Sequence, residues 1–247
     1  GDLVGLYDPD GLFNAATIAA AIRELGRERV SLWRFLSEAK IASAVAATSI
    51  AGSVDITTEL QAAFDFCAAG LGRKLFIPAG FYKLTAEVTF TPNNAFSTTD
   101  YTSGLMMEGE GMGKTIIVNS VGSSNPAIFV DGGQLMTNPA LGRAFAKGQR
   151  FANFTMIGDG STTDQYGFRC RGSWYNTWEN VRIISLKGTA ILIGDDTATN
   201  PDTTANAGNI FISCELDRNW WSIVNSVNND GPMISIFGGS MRNNTRG

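Results

Sequence analysis

The 247-residue sequence contains no histidine. That absence excludes Ser-His-Asp and Cys-His nucleophile arrangements and any metal site built on imidazole. Acid–base work must then fall to carboxylates, lysine, arginine or tyrosine. Cysteine is scarce too: Cys67, Cys170 and Cys214 are the only three, and none has CxxC spacing. Each lies in an apolar run, so buried free thiols are expected. Charged residues make up only 17%, the formal net charge is -4, and no Lys/Arg run exceeds two residues. Nothing supplies the basic patch that nucleic acid or an anionic membrane requires. No apolar run approaches the roughly 18 residues of a membrane span, and no charged leader precedes an apolar stretch. Neither nucleic acid nor a membrane span is expected as a partner, and no cofactor or metal site is read.

What the sequence does have is glycine, 28 residues of it, with much Asn, Ser and Thr. This mixture fits many short strands separated by polar turns. The most legible stretch is 55–84. Leu60, Phe64 and Cys67 form an apolar stripe at helical spacing, Thr58 and Gln61 have capping-box spacing, and Gly70 or Gly72 stops the helix. Lys74 to Ile77 then alternates polar and apolar, Pro78-Ala79-Gly80 turns the chain, and Phe81 to Leu84 begins another strand. Before this stretch, residues 1–12 read as an irregular arm. Asn14 caps an expected helix to Leu25, and residues 38–47 form a second. After it, strands are expected at 87–90, 104–107, 115–118 and 127–130, with an irregular loop over 131–149.

From Phe151 the pattern becomes periodic. Asn153, Asn180 and Asn209 each open an apolar strand. Further on, Ile210, Ile212, Arg218 and Asn219 recur 24 residues later as Ile234, Ile236, Arg242 and Asn243. A repeat in this range predicts a solenoid, because one unit cannot bury its apolar face without a neighbour. The last repeat runs to Gly247 without a polar cap, so further repeats are expected beyond it.

The residues Asp55, Thr57, Gln61, Ala62 and Ala63, followed by Ile77-Pro78-Ala79-Gly80 and Tyr82, resemble the opening of the pectate-lyase-like right-handed parallel β-helix family. The lead-in Val30-Ser31-Leu32-Trp33-Arg34-Phe35-Leu36, through Ala44 to Thr48, is similar to that of bacteriophage tailspikes. The resemblance implies an all-β fold, a right-handed parallel β-helix with a short helical lead-in over 1–52 and the coil, with its capping helix, over 53–247. It also implies a homotrimer, mounted on other phage tail proteins through its N-terminus. As part of a virion, it would fold in the host cytoplasm and bind and depolymerise a bacterial capsular polysaccharide or lipopolysaccharide O-antigen. Two other readings stand beside this one: a spike fragment that holds glycan without cleaving it, and a secreted polysaccharide lyase.

Candidate chemistry centres on carboxylates. Glu215 and Asp217, two apart at a strand end, would share a face about 6.5–7 Å apart. That matches the roughly 6.5–9.5 Å of an inverting glycosidase pair. Glu179, one repeat earlier, could join them. With histidine absent, this pair favours hydrolysis over elimination, which needs a base beside a neutralised uronate. Trp174, Tyr175, Trp178, Trp220 and Trp221 offer aromatic faces suited to sugar rings, although alternate members must point inward. Arg218 and Arg242, recurring one repeat apart, would stack in a column and could meet an acidic sugar, while Asn219 and Asn243, one per repeat, could form a hydrogen-bonded ladder at a corner or contact a ligand. Asp195, Asp196 and Asp202 read as a polar loop rather than a cation site. The segment Gly109 to Thr115 resembles a phosphate-binding loop but carries Glu108 where the first glycine belongs, so it reads as a turn.

Overall fold

A computed structural model describes residues 29–69, 73–91, 102–122, 125–131, 146–161, 164–194, 208–225 and 234–245. The expected helix from Asn14 to Leu25 lies outside them, as do Asp195, Asp196 and Asp202. The described chain is mostly β. Every strand pairing in it is parallel. The strands form a 12-stranded sheet, a 5-stranded sheet and a small 3-stranded sheet. The strands expected in the first half appear as Val88–Phe90, Met106–Gly109, Thr115–Asn119 and Pro126–Asp131.

The large sheet is bent. Strands such as Arg150–Gly158 and Thr177–Ile184 cross the bend at Asn153 (φ 61) and Asn180 (φ 51), in left-handed conformations that asparagine tolerates better than most residues. Ser213 (φ 51) makes the same bend between Asn209–Ile212 and Glu215–Asp217. A second corner, at Ser185 (φ 60), Arg218 (φ 55) and Asn243 (φ 55), follows the bent strands. The chain thus visits the first run of the large sheet, then its second run, then the 5-stranded sheet, and repeats the circuit. This order is compatible with a parallel β-helix.

The core fills the space between these sheets. Along Arg150–Gly158, Phe151 before the Asn153 bend and Phe154 and Met156 after it all point inward, because the bend resets the alternation. The Trp178 indole lies 5.5 Å from Phe151 on one neighbouring strand and 4.7 Å from Phe211 on the other, stacked nearly parallel to the latter at 6°. The helix Thr57–Ala68 buries Leu60, Ala63, Phe64 and Cys67, the expected stripe. Phe64 meets Phe90 edge-on at 6.1 Å. Burial of each such large side chain contributes about 1.5–3 kcal/mol. All three cysteines are buried free thiols, as expected.

Three local expectations are corrected. Thr58 and Gln61 form no capping box, for no side chain caps this helix at Ile56. Instead, Asp55 Oδ1 accepts from Thr57 N at 3.0 Å, and the Gln61 amide pairs both ways with the Thr89 backbone at 2.8 Å, as a strand would. Asn209 is partnered by Asn176 at 2.8 Å rather than by Asn180, an offset of 33 residues. In the last repeat, the offset is 25 rather than 24: Phe211 pairs with Ile236 and Asp217 with Arg242. Arg218 and Arg242 therefore do not form a column. Alternation alone does not fix the register, and a single-residue slip exchanges the two faces of a strand. The Gly109–Thr115 segment is a turn, closed by Lys114 N donating to Gly111 O at 3.0 Å.

Candidate functional site

The second run of the large sheet carries the predicted acidic pair. Leu216 points inward, so Glu215 and Asp217 face outward together. Parallel register places Thr155, Arg182, Glu215 and Ser240 in one column, with Ile157, Ile184, Asp217 and Arg242 in the next. Arg182 Nε donates to Glu215 Oε2 at 2.6 Å. This hydrogen bond, assisted by the charges of Arg182 and Arg242, holds the Glu215 carboxyl below the usual glutamate range. Asp217 lies 3.3 Å from Arg218 Nε and accepts from Asn243 Nδ2 at 2.9 Å. Glu179 is elsewhere. It lies on the first run, across the Asn180 bend, and binds Arg150 through Nη2 at 2.6 Å and Nε at 3.1 Å.

These pairings limit the chemistry. An inverting hydrolase needs one carboxyl held protonated, with its pKa raised. Glu215 is displaced the other way, which suits an ionised base or charge stabiliser. Glu179, bound to Arg150 on a different run, is not part of the cluster. Among the described residues, no group of three or more potential ligands could hold a metal ion, and no helix is long and apolar enough to cross a membrane.

The predicted aromatics separate. Trp178 is fully buried in the ring column, so it cannot present a face to a sugar. Its strand parity points it at Phe151 and Phe211. Tyr175 is exposed, but it stands at the corner before the first run, in a left-handed conformation (φ 58). For Trp174 only the backbone is described. Trp220 and Trp221 stay together at the second corner, where Trp220 N bonds the Leu186 and Gly188 carbonyls.

There they meet residues that the sequence reading missed. Asp164, Tyr166, Thr189, Leu192, Trp220 and Trp221 line a groove of about 370 Å³. Thr189 pairs with Trp221, and Tyr166 precedes Phe168 as Thr189 precedes Ile191, its register partner. Tyr166, Thr189 and Trp221 thus form one register column on adjacent strands, with Thr189 buried and Trp221 partly exposed at the strand starts. Gly188 keeps the groove floor close-packed, for a Cβ there would come 2.4 Å from the Gln165 carbonyl. The signal in the sequence is weak, since it needs the register. Asp217 ends its strand four residues before Trp221, so the carboxylate pair lies around the Arg218 corner from this groove.

No family model matches the chain, and no curated protein sequence does. Solved structures do. A Geobacillus virus E2 protein, ORF18, is similar over 91% of this chain with a TM-score of 0.54 at 16% identity. The Agl-KA catalytic domain follows at a TM-score of 0.49 and 16% identity over 81%, and the A-module of the Azotobacter vinelandii mannuronan C-5 epimerase AlgE4 at 0.41 and 15% over 83%. The chain spans 44%, 37% and 53% of these three proteins.

Proposed function

We propose that the chain is a right-handed parallel β-helix belonging to a bacteriophage tailspike that binds a bacterial capsular polysaccharide or O-antigen and depolymerises it. The observation that carries this reading is the groove lined by the aromatic residues Tyr166, Trp220 and Trp221, one corner away from the outward carboxylates Glu215 and Asp217. Aromatic faces pack against the apolar sides of sugar rings, while nearby polar groups take their hydroxyls. The recurring parallel circuit and the fold shared with a virus protein support the architecture. In this reading, the protein is a homotrimer attached to the tail through its N-terminal segment.

A second reading has an observation in its favour. Glu215 is held ionised by Arg182, and Glu179 and Asp217 each have a cationic neighbour, so these residues suit holding a glycan more than cleaving it. Incubating the chain with purified capsular and lipopolysaccharide glycans separates the two. New reducing ends without unsaturated-uronate absorbance indicate hydrolysis, and both together indicate elimination. Cleavage that survives in both Glu215→Gln and Asp217→Asn removes this pair from the mechanism. Binding without either signal supports the non-catalytic reading.

A further inference from the structure

We propose that the groove beneath Trp220 and Trp221 is a subsite for an uncharged pyranose ring and discriminates against a uronate there. The inference rests on the glycan-binding reading above. Its volume, about 370 Å³, lies near the low end of the roughly 300–1,000 Å³ of small-molecule sites. Its walls divide by chemistry. Trp221, partly exposed, and the side chains of Leu192 and Val224 give apolar area, while Tyr166, Thr189 and Asp164 supply hydroxyl and carboxylate partners.

Charge decides the ligand. Among the described residues that line the groove, Asp164 is the single charged one, and no lysine or arginine joins it. Arg169 shares a register position with Leu192 but lies over the Phe129 ring on the preceding strand, 5.5 Å from its centroid. A carboxylate accepts hydrogen bonds from sugar hydroxyls but repels a second carboxylate, and the repulsion grows as water is excluded. A uronate here would face Asp164 without a neutralising cation. Elimination needs such neutralisation, so this subsite is not where elimination takes place.

The test is calorimetric titration of the purified chain with matched oligosaccharides, one set neutral and one bearing uronates on the same backbone. The variants are Trp221→Ala, Asp164→Asn and Asp164→Lys, each checked for an unchanged melting curve. Asp164 is exposed, so its variants are expected to fold. Neutral oligosaccharides should bind, Trp221→Ala should weaken them at least tenfold, and Asp164→Lys should raise the affinity for uronate forms. Uronates binding the wild type as tightly as neutral sugars overturns the proposal. So does binding that is indifferent to both Trp221→Ala and Asp164→Lys, while leaving the glycan-binding reading intact. No glycan bound at all removes both.

Discussion

Arg182 reaches from one strand to Glu215 on the next and donates to it at 2.6 Å, placing a fixed positive charge on the carboxylate that the sequence marks as a candidate acid. The same contact contributes to stability in a pH-dependent way. The folded Glu215 pKa lies below its ordinary value of 4.5. Its contribution is therefore present above that value and is lost as pH falls through the lower folded value. Because the pair is partly exposed, Glu215→Gln should cost only about 0.2–1 kcal/mol at neutral pH. Urea denaturation from pH 7 down to about pH 3 should show the gap between wild type and variant closing in acid. A gap that widens in acid would contradict the assignment.

Trp178 is predicted to matter for stability and not for glycan contact. Trp178→Ala removes the ring between Phe151 and Phe211 and should destabilise the fold by about 3–5 kcal/mol. Trp178→Phe retains a ring in the column and deletes an indole Nε1 that has no hydrogen-bond acceptor among the described residues, so its loss should be smaller. Glycan affinity of Trp178→Phe should match wild type in titration calorimetry.

Asn219 is fully buried at the second corner. Its Oδ1 accepts from Leu186 N at 3.1 Å and its Nδ2 donates to Ile183 O at 2.9 Å. Asn244 repeats the motif, accepting from Asn219 N at 2.9 Å and donating to Leu216 O at 3.0 Å. Asn219→Ala leaves two buried backbone groups unpaired, at about 1–3 kcal/mol each. Chemical denaturation should show a clear loss, while Asn243→Ala, at an exposed position, should lose less.

The thiols should be inert in the folded protein. Burial pushes Cys67 up to about 11 and raises Cys170 and Cys214 as well. Only the thiolate reacts readily. An aromatic disulfide reagent at pH 8 should therefore label none of the three cysteines until denaturant is added. Rapid labelling of native protein would show that the core around at least one of these cysteines opens.

The asparagine corner shows how far the repeat could be read. A polar residue recurring near each strand end is visible in the sequence, and it does form a hydrogen-bonded ladder. The ladder, however, runs through Asn219 and Asn244 rather than Asn219 and Asn243. That single-residue difference also dissolves the expected Arg218–Arg242 column and pairs Arg242 with Asp217.

What the sequence determined by itself is local. The stripe Leu60, Phe64 and Cys67, the turn at Pro78-Ala79-Gly80, the shared outward face of Glu215 and Asp217, and the predominance of strands follow from periods of 3.6 and 2 along the chain. The tertiary structure alone decided which strand lies beside which, and in what register. That choice buried Trp178, tied Glu215 to Arg182 across 33 residues, and assembled Tyr166, Thr189 and Trp221 into one column. The reason is physical: side-chain direction within a strand is fixed by backbone geometry. Register between strands is set by loop length and by the packing of a shared core, which no single segment encodes.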